Sequence, residues 1–256
     1  MSTMESAAAP LKESERISAV MSEKPRVRHS ALVRVAHWVI TVSFIALAVT
    51  GGEIVISHPR FYWGETGNVL TDPLFKIPIP SSRRLVPTGY GYVMPDQNGW
   101  SRALHFQAAW VLVLMGLLYV LVGVLGGQFG KDLVPSKADL SWKSIGGVIG
   151  HHLRLGKPAP EDAWSYNVLQ RLTYLCVIFV LFPLVIWTGL AMSPAFDSAV
   201  PATVNLLGGR QSARTLHFFV SIALVVFLLV HVVLVWRSGF WSRVRAMITG
   251  APKEGE

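Results

Sequence analysis

Four stretches of this chain are apolar enough and long enough to cross a lipid bilayer as α-helices. A helix needs roughly 20 apolar residues to span the hydrocarbon core. The four stretches, which we call spans I to IV, cover residues 31–51, 103–125, 169–192 and 213–236. Because 52% of the residues are hydrophobic and only 15% are charged, the composition excludes an ordinary soluble domain. We therefore predict an all-α fold, an integral membrane four-helix bundle.

The polar segments divide the chain around this bundle. Residues 1–28 are predicted to form a mobile cytoplasmic tail, residues 29–245 the membrane domain, and residues 246–256 a second cytoplasmic tail. The connection between spans I and II is long and rich in proline and aromatic residues. Connections of more than about 15 residues are commonly functional, so we expect this loop to have a function.

Basic residues near the span ends indicate the orientation in the membrane. Cytoplasmic connections carry an excess of Lys and Arg. The basic residues that share one side when four helices cross are Lys24, Arg26, Arg28, Lys131, Lys137, Lys143, Arg154, Lys157, Arg237, Arg243, Arg245 and Lys253. We therefore place both termini in the cytoplasm and the long loop on the periplasmic side of a bacterial inner membrane. The net charge is +8, but the basic residues lie on the loops between spans and form no patch interleaved with aromatic residues. We therefore expect membrane lipid, and no nucleic acid, as a partner.

Four histidines lie within the apolar spans at two matching depths. His37 lies early in span I and His231 late in span IV, so antiparallel helices place both toward the cytoplasmic face. His105 begins span II and His217 begins span IV, so both lie toward the opposite face. Ionisable side chains are costly to insert into a membrane, and those that occur there usually have a function. The matched depths predict two ligand pairs.

The spacing along span IV predicts what these pairs bind. His217 and His231 are fourteen residues apart, which is about 21 Å of helix with both side chains on nearly one face. Two planar cofactors, one per pair, fit this distance. Haem held by two histidines has no open position for oxygen, which suits electron transfer. The single cysteine excludes a Cys-x-x-Cys-His attachment, so we predict two non-covalent b haems with these four histidines as iron ligands.

An arginine precedes three of the four histidines by three residues. Arg34, Arg102 and Arg214 each lie one helical turn nearer to water than the following histidine. A guanidinium there is well placed to bind a haem propionate through charge-assisted hydrogen bonds, and Arg237 is a similar candidate beyond His231. The alternatives are arginines that anchor the span ends, histidines that are hydrogen-bonded core residues, and a zinc or copper site. The remaining histidines, predicted to be surface residues, are His29, His58, His151 and His152.

These motifs resemble those of the bacterial cytochrome b561 and nickel-hydrogenase cytochrome b superfamily, in particular its thiosulfate reductase and formate dehydrogenase gamma-subunit branch. The matching elements are Arg34-Val-Ala-His37-Trp38, Thr50-Gly51 at the end of span I, Arg102-Ala-Leu-His105, and the two histidines of span IV. The resemblance covers about residues 29–245. It implies that the four histidines ligate two b haems in the pairing given above.

The start of span III is a candidate quinone site. Residues 166–171, Tyr-Asn-Val-Leu-Gln-Arg, are similar to a segment that lines a quinone site beside the cytoplasmic-side haem in formate dehydrogenase gamma subunits. Asn167 and Gln170 are amides on one helical face, able to hydrogen-bond a quinone carbonyl. A polar helix cap is the alternative. The long loop contains residues 58–65, His-Pro-Arg-Phe-Tyr-Trp-Gly-Glu, and resembles that of family members that sit beside a molybdopterin oxidoreductase of sulfite-oxidase type.

Together these observations predict a diheme b-type cytochrome of a respiratory chain. It would be the membrane subunit that transfers electrons between the quinone pool and a periplasmic redox partner, with a molybdopterin enzyme as the partner that the resemblance implies. Two alternatives remain at this point. One is a stand-alone superoxide:quinone or ferric reductase, and the other is a haem-free transporter of metal ions or protons.

Overall fold

The computed structural model describes residues 30–68, 70–79, 97–127, 134–135 and 168–250. The predicted tail 1–28, Asn167 and three of the predicted surface histidines lie outside these ranges. Within them, four helices are long and apolar enough to cross a membrane: Ala31–Ser57, Gly99–Leu125, Val168–Ala191 and Arg210–Arg237. Many of their large apolar side chains are exposed on the protein surface, as expected for lipid-facing helices. The predicted all-α membrane four-helix bundle is confirmed.

The first two spans form an antiparallel pair of long helices, α1 (Ala31–Ser57) and α2 (Gln97–Leu125), which pack along each other. Ser30 caps α1, its hydroxyl oxygen accepting a hydrogen bond from the amide of Val33 at 3.4 Å. The helix α1 continues past residue 51, the predicted end of span I. It does so because the residues after the two glycines are again mostly apolar and carry no helix-breaking proline before residue 59.

Span III has three parts: α3 (Val168–Cys176), a π-helical turn (Val177–Leu181) and α4 (Phe182–Ala191). In this turn the amide of Phe182 donates to the carbonyl of Val177, five residues earlier. Pro183 explains the π-helical turn. It has no N–H, and in a regular α-helix its ring would clash with the carbonyl four residues earlier. One wider turn removes that clash without ending the helix.

Three shorter helices were not predicted. The helices α5 (Pro194–Ala199) and α6 (Pro201–Leu206) connect span III to α7 (Arg210–Arg237), which packs along α4. After Gly239, whose φ of 92° suits glycine, the chain turns into α8 (Phe240–Thr249). We call the end of the bundle with the start of α1 and with α8 the terminal end, and the opposite end, with the start of α7, the loop end.

The long loop is folded onto the start of α7. Its strands β1 (Arg60–Phe61) and β2 (Phe75–Lys76) pair antiparallel, and the rings of Phe61 and Phe75 stack at 4.7 Å. The Gly64 carbonyl accepts from the amides of Gln211 and Ser212, at 3.0 and 3.2 Å. Since the first amides of a helix have no partner within it, the loop supplies these acceptors.

Three consecutive aromatic residues of this loop, Phe61, Tyr62 and Trp63, differ in their exposure. Phe61 and Tyr62 are buried, and the carbonyl of Tyr62 accepts from the buried Thr215 hydroxyl at 2.7 Å. Only Trp63, which is 58% exposed, remains outside among these three aromatic residues. Phe61 and Tyr62 are buried because the loop covers the start of α7 and needs an apolar inner side there.

Candidate haem-binding site

The structure brings the four membrane histidines together in the two predicted pairs. The rings of His37 on α1 and His231 on α7 have centroids 6.4 Å apart, with an interplanar angle of 50°. The rings of His105 on α2 and His217 on α7 have centroids 6.3 Å apart, at 62°. The first pair lies at the terminal end and the second at the loop end, so α7 contributes one histidine to each pair.

This ring separation fits two imidazoles on opposite sides of one metal ion. An imidazole nitrogen lies roughly 2 Å from a bound metal and the ring centre about 1 Å further, so opposed rings have centroids about 6 Å apart. At a tetrahedral angle the same two rings would be roughly 5 Å apart. In the described ranges no three His, Cys, Asp or Glu side chains cluster as a metal-ion site. The geometry therefore favours haem over zinc or copper.

At the loop end, a threonine fixes the proton of His105. The Thr50 hydroxyl donates to the Ala46 carbonyl at 2.7 Å, and its oxygen lies 2.9 Å from Nδ1 of His105. A hydroxyl has one proton, so at this contact Thr50 accepts and His105 donates from Nδ1. Nε2 of His105 then carries the lone pair that a metal needs.

His217 is held in the same way from α4. Its Nδ1 lies 3.0 Å from the Val185 carbonyl, which can only accept, and 3.2 Å from the Thr188 hydroxyl. Nδ1 of His217 therefore carries the proton, and Nε2 again carries the lone pair. Both loop-end rings present the same nitrogen for ligation.

The terminal-end pair is held by ring packing. The ring of His37 contacts that of Trp38 edge-on at 5.2 Å, and His231 stacks on Phe227 at 5.8 Å. Nδ1 of His37 is buried without a hydrogen-bond partner among the described residues. The described residues therefore supply no acceptor that would fix the proton of this ring, unlike the oxygens at the loop-end pair.

Glycines create space beside the histidines. A Cβ built on Gly189 would lie 3.2 Å from Cε1 of His217, and one on Gly51 would lie 3.6 Å from Cε1 of His105. On α2, a Cβ on Gly116 would meet nothing within 4 Å. Gly116 follows His105 by eleven residues, close to three turns, and so lies on the same helical face. Open space on that face suits a large planar ligand.

The three arginines lie where the sequence places them, but each contacts a protein group. Arg34 donates from Nη1 to the Ile248 carbonyl of α8 at 2.8 Å. Arg102 and Arg214 converge on one residue: Nη2 of Arg102 is 3.3 Å from Nε2 of His58, and Nη2 of Arg214 donates to the His58 carbonyl. His58 is half-buried between them, whereas the sequence suggested a surface residue. It lies just after α1, at the start of the long loop.

Gln170 is the one of the two predicted quinone contacts that lies within the described residues, and it is half-buried at the start of α3. Eighteen residues separate it from Thr188 beside the loop-end pair, which is roughly 27 Å along the helix. Gln170 therefore lies toward the terminal end. Its partner in the prediction, Asn167, lies outside the described residues.

Comparison with known proteins identifies the family. Residues 28–250 match the family model described as prokaryotic cytochrome b561. The chain belongs to the prokaryotic cytochrome b561 family. It is a multi-pass membrane cytochrome of the type that binds b haem and transfers electrons. The superfamily resemblance predicted from the sequence is confirmed, and the haem-free transporter alternative finds no support.

Relatives of this cytochrome serve different redox systems. It is 30% identical over 223 residues to the putative protein-methionine-sulfoxide reductase subunit YedZ1 of Azospira oryzae, across 84% of this chain and 93% of the relative. It is 27% identical over 225 residues to a probable Ni/Fe-hydrogenase B-type cytochrome subunit of Azotobacter vinelandii, across 84% and 82%. A Cupriavidus necator protein of the same name is 24% identical over 238 residues, across 87% and 84%. No solved structure matches the chain.

Sequence reasoning missed the role of two Thr-Gly dipeptides in this cytochrome. Thr50-Gly51 on α1 contacts His105, and Thr188-Gly189 on α4 makes the corresponding contacts with His217. In each case the threonine contacts Nδ1 of a loop-end histidine, and the glycine leaves room for the same ring. The repeated dipeptide, late in spans I and III, was the available signal.

Proposed function

We propose that this cytochrome holds two b haems and transfers electrons between the quinone pool and a periplasmic redox partner. The observation that carries the proposal is the pair of nearly equal ring separations, 6.3 and 6.4 Å, at opposite ends of α7. Two separate ligand pairs at the two ends of one membrane helix provide an electron path through the bilayer.

The four histidines are the proposed axial ligands, His37 with His231 and His105 with His217. Bound haem supplies one-electron redox chemistry, and two imidazoles per iron leave no site for oxygen. Arg34, Arg102 and Arg214 are the proposed propionate partners. A guanidinium has five N–H donors, so the contacts to His58 and α8 leave donors for a carboxylate.

The proposed quinone site is at the terminal end. Gln170, with Asn167 three residues earlier in the sequence, would hydrogen-bond a quinone carbonyl beside the terminal-end histidines. The position of Gln170 at the start of α3 supports this placement. Quinone takes up two electrons and two protons, whereas haem delivers electrons one at a time, so two transfers serve each quinone.

The proposed partner binds at the loop end, on the periplasmic side, with both termini in the cytoplasm. The relatives' names, a methionine-sulfoxide reductase subunit and a hydrogenase B-type cytochrome subunit, support a redox enzyme as the partner. A molybdopterin enzyme is the kind that the sequence resemblance favours. Exposed apolar side chains at this end, Trp63 and Leu206, support a protein contact there.

The test is a haem count followed by two variants. A reduced-minus-oxidised spectrum with a pyridine haemochrome assay on the detergent-purified protein should give two b haems per chain. His105→Ala should lose one spectral component, and His37→Ala should lose the other together with quinol oxidation. Wild-type spectra in both variants would contradict the proposal, as would a protein without haem.

A further inference from the structure

We propose that Thr50 and Thr188 are positioning residues that lower the reduction potential of the loop-end haem below that of the terminal-end haem. The inference rests on the proposed two-haem function and assigns an order to the two haems. The two pairs differ in their hydrogen bonds: both loop-end rings have a hydrogen-bonded Nδ1, whereas Nδ1 of His37 has no partner within the described residues.

The hydrogen bonds act on the iron through the ligand. When Nδ1–H donates to an oxygen, electron density shifts into the ring and makes Nε2 a stronger base. A more basic ligand stabilises the more positive ferric iron more than the ferrous iron. The haem therefore gives up its electron more readily, which is a lower reduction potential.

The two loop-end histidines are affected to different degrees. For His105, Thr50 is the acceptor, at 2.9 Å, and its own proton is already committed to the Ala46 carbonyl at 2.7 Å. For His217, the Val185 carbonyl at 3.0 Å accepts alongside Thr188 at 3.2 Å. If the Thr188 hydroxyl is lost, the Val185 carbonyl still accepts from Nδ1 of His217. If the Thr50 hydroxyl is lost, His105 loses the acceptor that the structure shows for its Nδ1.

The order of the two reduction potentials determines which haem holds the electron when the molecule carries only one. In a molecule reduced by one electron, the electron should reside mostly on the terminal-end haem, beside the proposed quinone site. The loop-end haem would then be the one that is oxidised first.

The experiment is a potentiometric titration of the haem absorbance on purified holoprotein. Wild type should show two one-electron components, and His105→Ala should lack the lower one. Valine has the shape of threonine without the hydroxyl, so Thr50→Val should raise the lower potential. We expect a three- to tenfold change in the one-electron equilibrium, about 30 to 60 mV at 59 mV per decade. Thr188→Val should raise the same component by less.

Two kinds of control separate the hydrogen bond from general damage. Thr50→Ser and Thr188→Ser keep a hydroxyl and should retain wild-type potentials. Thr173→Val is the matched control, because the Thr173 hydroxyl donates to the carbonyl of Leu169 in its own helix, at 2.7 Å. It should leave both components unchanged.

The inference is overturned if both valine variants leave the lower component unchanged, if they raise the upper one, or if His105→Ala removes the upper one. If a valine variant purifies with only one haem, the serine variant at the same position is the test. Two haems at wild-type potentials in the serine variant support the role of the hydroxyl. One haem in the serine variant refutes that role. Failure of the proposed function looks different, because wild type itself would then lack two haems.

Discussion

The two histidine pairs have the same spacing but are held in different ways. At the loop end, threonine and carbonyl oxygens fix both rings, and glycines let the neighbouring helices approach them. At the terminal end, Trp38 and Phe227 pack against the rings. The loop end is further covered by a folded loop, whereas the terminal end is closed by α8, which Arg34 and Trp38 attach to α1.

This difference matters because of the membrane. In the hydrocarbon core no water is available to an imidazole N–H, so an oxygen from a neighbouring helix both satisfies it and sets the ring orientation. The loop-end pair therefore has a fixed orientation before any cofactor binds. The terminal-end pair is less constrained, which suits the end at which we place quinone exchange.

The largest effects should come from the two ligands on α7. Each pair has one histidine from this helix, so His217→Ala and His231→Ala should each purify with one of two haems. The retained spectral components should differ between the variants, and pyridine haemochrome assays with difference spectra measure both results. Loss of both haems in either variant would show that the pairs are not independent.

The next largest effect should distinguish the two glycines. Gly189→Ala places a methyl group 3.2 Å from a His217 ring that two hydrogen bonds hold in position. Overpacking of this kind typically costs about 1–3 kcal/mol, and here it should reduce haem retention at the loop end. Gly51→Ala, at 3.6 Å from His105, is the matched control and should be tolerated. Equal haem occupancy in both variants after detergent washing would show that the His217 ring can move.

The spans and the histidine pairing could be predicted because they follow from length and depth alone. An apolar stretch of sufficient length must be a helix in lipid, and antiparallel order assigns each residue a depth. The threonine contacts could not be predicted in this way. Thr50 and Thr188 each donate to a carbonyl of their own helix, as threonine in a membrane helix commonly does. Whether the same oxygen also accepts from a histidine depends on the rotation of two helices about their axes.

The peripheral helices were missed for a different reason. The helix α8 is short and amphipathic, and its ten residues are too few and too polar to resemble a span. Its position depends on Arg34 and Trp38, whose donors reach the carbonyls of Ile248 and Met247. Such long-range contacts between side chain and backbone leave no periodic pattern in the sequence.

A smaller effect should come from the hydroxyl that ties the loop to α7. Thr215→Val removes the donor to the buried Tyr62 carbonyl and should cost about 1–3 kcal/mol. For a chain of this size that is a fall in Tm of roughly 2–4 °C per kcal/mol, which thermal unfolding in detergent can measure. Thr173→Val, whose hydroxyl serves only its own helix at the Leu169 carbonyl, is the control. An equal fall in both variants would mean that the loop contact adds nothing specific.

The smallest effect should appear at the terminal end, where one indole attaches α8 to α1. Trp38→Phe keeps an aromatic ring beside His37 but loses the N–H that donates to the Met247 carbonyl at 3.1 Å. A partly exposed hydrogen bond contributes about 0.5–1.5 kcal/mol, so amide exchange in residues 240–249 should accelerate roughly two- to tenfold. Trp110→Phe, at an exposed position on α2, should leave that exchange unchanged. Since the loop end has its own hydrogen bonds, exchange near Thr50 and Thr188 should not respond to Trp38→Phe. Faster exchange at both ends would show that the two histidine pairs are mechanically coupled through α7.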